Sequence, residues 1–494
     1  MIKNGKNKTN NKTFFGEESF TFEHVDVLLV YPNNYSVGLS NLGQEIIYTT
    51  LRASGLKVGR VFYDGRLQNE HGQYIAALSK GISLIAFSIS FEMDFFNIPK
   101  ILKALNVSLH YKDRTKFDPL VIAGGSAVTV HHKVVEDFFD LIFLGEGEES
   151  LPEFIDYLRN QSIHNREDFI KGATSLEGIS SALTQNKTSR RIAADKYLGF
   201  VLKRPPLFND MNVMELTRGC KRNCYFCVAK QIYETSRYPS LERTLEIINS
   251  LEERRLGLIG PNVTDCHYLP ELLKLDKQFM FSSLAINSRF IDDILVNIAP
   301  HQKQVTFAIE TNHERLQKII NKPITTERIK KVITKAFEVG IFRIKLYYML
   351  GIPTETEDEI RYNCDKIKEI YTMMAEQNSK FSLKISLSPF IPKPHTLMYP
   401  ASFEDPKSLR KKYRLITHEL DSYENLKIDF TSIKESYLQA TLCKSEESLF
   451  AFICRTSGVS YHAKYDDATR AFEKNLVYQD LSLPNNASTS FSFM

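Results

Sequence analysis

The chain of 494 residues contains no tryptophan and only seven cysteines. Cysteines that are few, odd in number and mostly isolated do not form a disulfide framework, and they indicate a reducing compartment. No run of eighteen apolar residues occurs, which argues against a membrane-spanning helix. The N-terminus also lacks the apolar stretch of a signal peptide. We therefore expect a cytoplasmic protein with no membrane partner.

The chain also carries little excess charge. Its formal net charge is +4, which gives no strong signal for nucleic-acid binding. Hydrophobic residues make up 43% and charged residues 25%, as is usual for globular proteins. The composition and length predict two or three domains, each with its own core.

The first half of the chain alternates short apolar runs with helical patterns. The runs that predict strands are VDVLLVYP at 25–32 and, further on, VGRVFYD, LIAFSI, PLVIAGG and DLIFLG. Buried strands that alternate with helices predict an α/β fold with a parallel sheet, which binds ligands at the carboxyl ends of its strands. We expect a disordered tail at 1–20 and a Rossmann-like domain at 21–165.

The alternation resumes after a polar segment at 166–210, which we interpret as a linker. Strands are predicted at 213–217, 256–260, 278–284, 304–310, 342–350 and 381–388. Six strand–helix units fit a partial (β/α)6 relative of the TIM barrel, where chemistry occurs at the carboxyl ends of the strands. We place this barrel at 211–425. A small mixed segment at 426–494 is expected to form a mainly helical cover over one barrel mouth and a loose tail.

Three of the seven cysteines stand together in TRGCKRNCYFC, directly after the first barrel strand. Thiolates of Cys220, Cys224 and Cys227 on one loop predict a metal site. A structural zinc needs four ligands, commonly in Cys-X2-Cys pairs, and only one such pair is present, so zinc is the weaker alternative. A [4Fe–4S] cluster held by three thiolates has one iron without a protein ligand, and this iron can bind a substrate or cofactor.

With Phe226 as the aromatic residue, this Cys-X3-Cys-X-aromatic-Cys motif resembles that of the radical S-adenosylmethionine (radical SAM) superfamily. The resemblance implies a [4Fe–4S] cluster on the three cysteines, with SAM bound to the open iron. It also implies reductive cleavage of SAM to methionine and a 5′-deoxyadenosyl radical, which abstracts hydrogen from a substrate. An electron donor such as a flavodoxin or ferredoxin is implied as well, and Phe226 is expected beside the adenine.

Further segments resemble the Elp3/MiaB-like branch of this superfamily. GLIGP at 257–261 stands where the family meets the SAM amino group, although it lacks the usual acidic residue, and Gly260 is therefore implied as a SAM contact. Glu310 ends the fourth strand and is implied as a ribose contact. RIKLYYMLGIPTET resembles the fifth strand, with Lys345 on its inner face. A lysine there needs an anionic partner, either the SAM carboxylate or Glu310 in a structural ion pair.

The N-terminal half resembles the cobalamin-binding domains of other radical SAM proteins in YPNNYSVGLSNLG, VIAGGSAV and LGEGEESLPEFI. Small residues at strand ends allow a large ligand to approach backbone N–H groups. The residues expected to form this rim are Ser88, Ser90, Gly124, Gly125, Gly145 and Gly147. The loop after the first strand has no histidine to ligate cobalt, so cobalamin would bind without one. The alternative is a scaffold or a substrate-binding half.

The remaining candidates are interpreted as structural. Glu146 and Glu148 are expected to begin a helix and to favour its dipole. Cys266 is more simply a passive loop cysteine than a thiol that meets substrate. The other cysteines, Cys364, Cys443 and Cys454, are expected to be buried small hydrophobes. The pair at 131–132, two histidines, is expected in a solvated turn.

The leading interpretation is a radical SAM enzyme that acts on an unknown substrate, with cobalamin-dependent methyl transfer as one outcome and rearrangement or ring formation as another. Methylthiotransferases carry three further cysteines in an N-terminal domain, and this chain has none before Cys220. The alternative outside the enzymes is an iron–sulfur electron-transfer or sensor protein with a degenerate cobalamin-type domain. The complete barrel pattern argues against it, because such a role needs no cofactor pocket.

Overall fold

The computed structural model describes residues 20–21, 25–77, 82–161, 165–184, 186, 188–208 and 211–458. The predicted disordered tail before Phe20 and the predicted loose tail lie outside these residues. None of the helices in these ranges is long and apolar enough to cross a membrane.

The N-terminal half is built on a sheet of seven strands in the order β4-β3-β2-β6-β7-β8-β9. The strands of this half are β1 (Phe20–Thr21), β2 (Val27–Tyr31), β3 (Val58–Tyr63), β4 (Leu67–Gln68), β5 (Ile75–Ala77), β6 (Leu84–Ser88), β7 (Leu120–Gly124), β8 (Leu141–Phe143) and β9 (Ile179–Ser180). The five central strands are parallel, β4 and β9 are antiparallel edges, and β1 pairs only with β5. All five strands predicted here are present.

From β2 the following strands are added on one side of the sheet, and from β6 they are added on the other, so the sheet has a topological switch point between β2 and β6. In open α/β sheets the crevice at this point, outside the carboxyl ends of the strands, is the usual ligand site. The helices of this half are α1 (Tyr35–Leu39), α2 (Leu42–Ala53), α3 (Ile98–Ala104), α4 (Ser126–His131), α5 (Gly147–Asn160) and α6 (Arg166–Ala173). Leu51, Phe154 and Ile170 bring α2, α5 and α6 into one core on one face of the sheet. The first part of the segment predicted as a linker, which forms α6 and β9, is therefore part of the core of the N-terminal half.

The second half contains the predicted barrel strands. They are β10 (Val201–Leu202), β11 (Asn212–Glu215), β12 (Arg255–Ile259), β13 (Gln278–Phe281), β14 (Gln304–Glu310), β15 (Arg343–Leu350), β16 (Ser382–Pro389) and β17 (Leu426–Phe430). Two sheets, β10-β11-β12-β13 and β14-β15-β16-β17, are joined by a bridge between Leu284 and Phe307. All pairings from β11 onwards within the two sheets are parallel, and β10 is antiparallel to β11.

The barrel helices pack on the outside of these strands. They are α7 (Ala229–Tyr233), α8 (Leu241–Ser250), α9 (Leu269–Leu272), α10 (Ile291–Ile298), α11 (Glu314–Ile320), α12 (Thr326–Glu338), α13 (Glu357–Gln377) and α14 (Pro406–Leu420). The six predicted strands, β11 to β16, are confirmed, but the two-residue β10 was missed, and so was β17. Only one of its faces is apolar, and on that face Phe430 stacks on Tyr413 of α14.

The helical segment after the barrel contributes to the core of the N-terminal half. Helices α15 (Ile433–Lys444) and α16 (Phe450–Thr456) pack on the N-terminal sheet, where Leu438, Leu442 and Ile453 join the core that contains Phe96. Helix α15 also contacts the segment that follows β16, where Lys444 Nζ donates to the Tyr399 carbonyl at 2.9 Å. That this segment covers a barrel mouth stays a prediction.

Candidate functional site

The cysteine loop connects β11, the first parallel strand of the barrel, to α7. Cys220, Cys224 and Cys227 are all half-exposed and free of disulfides. Gly219 precedes them at φ 80°, a left-handed conformation that glycine adopts without strain. The Cys227 N–H donates to the Cys224 carbonyl at 3.2 Å, which closes a tight turn. The loop therefore presents three thiols beside the carboxyl ends of the strands.

The loop is held in place from outside by the end of α11. The Tyr225 N–H donates to the Ile320 carbonyl at 3.0 Å, and Asn321 Nδ2 donates to the Asn223 carbonyl at 2.6 Å. Asn321 has φ 50°, so the helix ends in a left-handed turn that aims this side chain at the loop. Such anchoring fixes the cysteines on a rigid element of the barrel.

A lysine that the sequence analysis missed stands beside this loop. Lys322 Nζ lies 2.8 Å from Glu310 Oε1 and 5.9 Å above the Phe226 ring. Phe226 and Glu310, which were predicted from different motifs, therefore both lie next to the Lys322 ammonium group. Burial raises the pKa of the Cys224 thiol, and the charge of Lys322 opposes this shift. In the sequence, Lys322 is marked only by its position directly after Asn321, a residue type that often ends helices.

The three thiols suit a cluster in which each cysteine binds a different iron. Burial raises the pKa of the Cys224 thiol, and the charges of Cys227 and Cys220 raise it further. Among the described residues, no three His, Cys, Asp or Glu side chains are grouped to hold one metal ion. A [4Fe–4S] cluster does not need such convergence, because each cysteine binds a different iron.

The structure separates Lys345 from Glu310. Glu310 pairs in register with Tyr348, whereas Lys345 pairs with Thr306, nearer the opposite end of the strands. Lys345 Nζ donates to the Tyr347 hydroxyl at 3.0 Å. The alternative of an ion pair between Lys345 and Glu310 was therefore wrong, because three residues of strand rise put the two side chains on different levels.

A large cavity lies where the rim of the N-terminal sheet meets the barrel. Its empty volume is about 1360 Å³, including the space that opens to solvent. All the predicted rim residues line it: Ser88, Ser90, Gly124, Gly125, Gly145 and Gly147. Gly260, predicted at the SAM site, lines the same cavity together with Thr217 and Arg218. The cavity thus reaches from the switch point of the sheet to the residues that precede Cys220.

The volume and the lining of this cavity suit a polar ligand. Without the space that opens to solvent its volume is about 360 Å³, within the roughly 300–1,000 Å³ of ordinary small-molecule sites. Thr217 is buried and lines the cavity, and its Oγ1 has no hydrogen-bond partner in the described part of the chain. Gly125 and Gly145, at φ 107° and 98°, form turns that only glycine makes readily. They bring backbone to the rim, where a side chain would meet neighbouring backbone.

A buried cluster of charges forms one wall of the cavity. Arg218 Nε and Nη2 donate to the two carboxylate oxygens of Glu215 at 2.8 and 2.9 Å, and its Nη1 lies 2.7 Å from Glu148. The same Nη1 is 3.0 Å from Glu146, which also pairs with Arg237. Burial alone would lower the pKa of Arg218, but Glu215 and the other carboxylates hold it above its ordinary value. These residues join the cysteine loop to α5.

Glu146 and Glu148 therefore do more than was predicted. Glu146 is the N-cap residue of α5 and Glu148 lies in its first turn, so both begin the helix as expected. Glu146 makes no side-chain capping bond, however, and both carboxylates bind arginines of the barrel. Burial raises the pKa of Glu146, and the two arginines oppose that shift.

The remaining cysteines stand outside the cysteine loop, although Asp265, which precedes Cys266, pairs with Arg222 of that loop at 2.9 Å. The prediction for the two histidines was wrong. Cys266, Cys364 and Cys443 are buried, as expected for structural residues, and Cys454 is half-buried. Burial raises the pKa of Cys266 to about 11, which suits a passive thiol. His131 is buried rather than in a solvated turn, because α4 packs it against the segment after α15.

Two family descriptions match this chain. "Radical SAM proteins, N-terminal" matches residues 70–180, and "Radical SAM superfamily" matches residues 214–367. The chain belongs to the radical SAM superfamily. The predictions of this superfamily, of an α/β fold with an N-terminal domain before a barrel, and of a radical SAM enzyme are confirmed.

Two relatives and one solved structure indicate the range of similarity. An uncharacterized protein of Methanocaldococcus jannaschii is 27% identical over 443 residues, which cover 87% of this chain and 90% of that protein. The ribosomal protein uS12 methylthiotransferase RimO of Chlamydia abortus is 21% identical over 39% of this chain and 47% of its own length. The methyltransferase TsrM of Kitasatospora setae has a similar fold, with a TM-score of 0.55, 12% identity, and coverage of 90% of this chain and 99% of TsrM.

Proposed function

We propose that Cys220, Cys224 and Cys227 hold a [4Fe–4S] cluster and that SAM binds between this cluster and Glu310. When bound, the cluster supplies the electron that cleaves SAM and so starts radical chemistry on a substrate. The observation that carries this proposal is the convergence of the cysteine loop, Phe226 and Glu310 around Lys322. Glu310 accepts hydrogen bonds and can orient a ribose, and Phe226 offers a flat apolar face to an adenine.

We propose further that the cavity between the N-terminal sheet and the barrel binds cobalamin. The support is its place at the rim of the N-terminal sheet beside the barrel, its glycine-lined rim and the unpartnered Thr217 hydroxyl. TsrM, which shares this fold, has been solved with cobalamin and a [4Fe–4S] cluster bound. The loop from Tyr31 to Gly43 has no histidine, so the corrin would bind without a histidine from that loop.

A corrin at this place would supply a methyl group for transfer to carbon, and the protein's residues would bind and position it. Helix α5 begins at Gly147, which lines the cavity. The free N–H groups of this helix end can therefore bind polar substituents of a ligand. Arg218 lines the cavity and is joined to the cysteine loop, so it can hold the two sites at a fixed separation. We therefore propose methyl transfer as the reaction, in the cytoplasm, with electrons from a flavodoxin or ferredoxin.

The decisive experiment is anaerobic reconstitution with iron and sulfide, followed by reduction, addition of SAM and measurement of 5′-deoxyadenosine. Cys224→Ala should lose iron and abolish the product. Cys454→Ala, a half-buried cysteine on α16, is the matched control and should keep both. Four-iron absorbance without SAM cleavage in the wild type would instead favour an electron-transfer or sensor role.

The cobalamin proposal is tested on the same protein by incubation with hydroxocobalamin and gel filtration. A corrinoid spectrum that stays with the protein supports it. Complete loss of the corrinoid would leave the N-terminal half as a scaffold or substrate-binding half and would remove methyl transfer from a corrin as the reaction.

A further inference from the structure

The inner face of the barrel differs chemically from its outer face. On β15, Ile344 and Leu346 are buried and pack against the outer helices, whereas Lys345 and Tyr347 point to the opposite face and are partly exposed. Side chains alternate between the two faces of a strand, so this pattern separates a core face from an inner face. The inner face of this part of the barrel is therefore polar and reached by solvent.

Three lysines stand side by side on this inner face. Lys345 of β15 pairs in register with Lys384 of β16, and Lys384 pairs with Lys427 of β17. Neighbouring strands lie about 4.8 Å apart, so the three side chains leave the sheet as adjacent residues of one row. Like charges directly opposite each other on a sheet destabilise it, and such a row needs anionic partners.

The described structure offers this row one carboxylate. Asp429 forms an ion pair with Lys384. Its hydrogen bond with Lys384, followed by the charges of Lys384, Lys427 and Lys345, holds the pKa of Asp429 below its ordinary value. All three ammonium groups thus act on a single carboxylate, and two positive charges are left over. Lys345 itself contacts a neutral group, since its Nζ lies 4.5 Å from the centre of the Tyr347 ring.

Hydroxyl groups continue this surface toward the carboxyl ends of the strands. Ser386 pairs in register with Tyr347 and Asp429, and beyond it the Ser388 and Thr431 hydroxyls lie 2.7 Å apart. We call the surface formed by Lys345, Lys384, Lys427, Asp429 and Tyr347 the lysine wall. Its three lysines lie about 10–16 Å from the carboxyl ends of their strands, at about 3.3 Å of strand rise per residue.

We propose that the lysine wall binds the substrate through an anionic group, a carboxylate or a phosphate. The substrate then lies along β15–β17 with its reacting carbon at the carboxyl ends of the strands. This inference rests on the proposed function, which puts SAM cleavage at those ends. It requires an elongated substrate whose anionic group and reacting carbon are separated by about 10–16 Å, given the strand rise.

Lysine suits this task because its ammonium is a compact point charge with three donors on a flexible stem. It can therefore meet either a carboxylate or a phosphate without a fixed fork geometry. Asp429 would compete with the ligand for Lys384, so its removal should strengthen anion binding.

The test is calorimetric titration of the reconstituted protein with inorganic pyrophosphate and, separately, with citrate, at constant ionic strength. Lys384→Gln should weaken binding of the anion about tenfold, equivalent to about 1.4 kcal/mol, and Asp429→Asn should strengthen it. Lys331→Gln, an exposed lysine on α12, is the matched control and should bind like the wild type. Binding of pyrophosphate alone would identify a phosphate group, and binding of citrate alone would identify a carboxylate.

Lysine acylation followed by mass spectrometry locates the site independently. Peptides with Lys345, Lys384 and Lys427 should be protected by the anion, and those with Lys331 should not. Absence of binding by the wild type, or equal binding by all variants, would overturn the proposal. Because these measurements need no SAM, a failure of SAM cleavage would sink the proposed function while the anion site could still stand.

Discussion

Arg218 Nη1 lies 2.7 Å from Glu148 Oε1, and this contact joins the loop that carries Cys220 to the first turn of α5. Both side chains are almost fully buried, so the pair is shielded from solvent. Three carboxylates share two arginines in this cluster, which makes Arg218 the group whose loss would leave the most uncompensated charge. The two halves of the molecule are thus held together at the edge of both proposed cofactor sites.

Arg218→Gln should therefore destabilise the protein strongly. Removing one partner of a buried ion pair typically costs about 3–5 kcal/mol, because it leaves a buried charge unpaired. The measurement is the thermal unfolding midpoint of the reconstituted protein. Arg254→Gln is the control, since its pair with Asp276 is exposed and such pairs contribute about 0–1 kcal/mol. Equal midpoints for the two variants would mean that the cluster does not stabilise the contact between the halves.

Thr217→Val should separate stability from ligand binding. An unpartnered buried hydroxyl costs about 1–3 kcal/mol, so valine should stabilise the corrinoid-free protein while weakening its affinity for hydroxocobalamin. The midpoint and a corrinoid absorbance titration measure the two effects.

Thr244→Val is the matched control for this change. The Thr244 hydroxyl is buried but bonds the Ser240 carbonyl and the Tyr268 hydroxyl, so valine there should destabilise and leave corrinoid affinity unchanged. Unaltered corrinoid binding by Thr217→Val would show that the hydroxyl does not meet the ligand.

Asp94 should make stability depend on pH. Burial raises its pKa to about 7 from the ordinary value of 3.8, against an opposing hydrogen bond from Asn33. Between these values the folded protein keeps a proton that the unfolded chain has lost, so stability falls as pH rises, by up to about 4 kcal/mol. Asp94→Asn cannot titrate and keeps an acceptor for Asn33.

The difference between the unfolding midpoints of Asp94→Asn and the wild type should therefore change in favour of the variant from pH 5 to pH 7. Above pH 7 this difference should stay constant. A constant difference across this range would mean that Asp94 titrates normally. Asp64→Asn, a carboxylate on an exposed turn, is a suitable control and should show no such trend.

Much of this architecture could be predicted because its signals are local. Buried parallel strands are continuous apolar runs, and the three cysteines and Phe226 lie within eight residues of one another. The contacts between distant segments could not be predicted. Glu148 and Arg218 are 70 residues apart, and nothing in their charges distinguishes this pairing from many others.

The same limit explains the lysine wall and the wrong partner for Lys345. Lys345, Lys384 and Lys427 become neighbours only through the register of β15, β16 and β17, and β17 was not predicted. Every second residue of β17 is polar and faces the barrel interior. In the sequence this alternation looks like that of a strand exposed to solvent. The expectation that Lys345 needs an anion stays a prediction, and the level of this lysine along the strand depends on the pairing of whole strands.

Glu310→Gln tests whether this carboxylate contacts SAM or only Lys322. Gln keeps the size of the side chain but loses the charge that attracts Lys322 at 2.8 Å. If Glu310 accepts hydrogen bonds from the SAM ribose, SAM affinity should fall about tenfold, since a hydrogen bond to a charged group contributes about 1.5–3 kcal/mol. The measurement is equilibrium dialysis of SAM against the reconstituted protein, with iron content as a check that the cluster is intact.

Glu314→Gln is the matched control for Glu310, because Glu314 pairs with Lys318 on the exposed face of α11. It should keep wild-type SAM affinity and iron content. Should Glu310→Gln lose iron together with SAM binding, its carboxylate acts through Lys322 on the loop that holds the cysteines. Should it bind SAM like Glu314→Gln, Glu310 has no contact with SAM, and the ribose must be held by another residue at the end of the barrel strands.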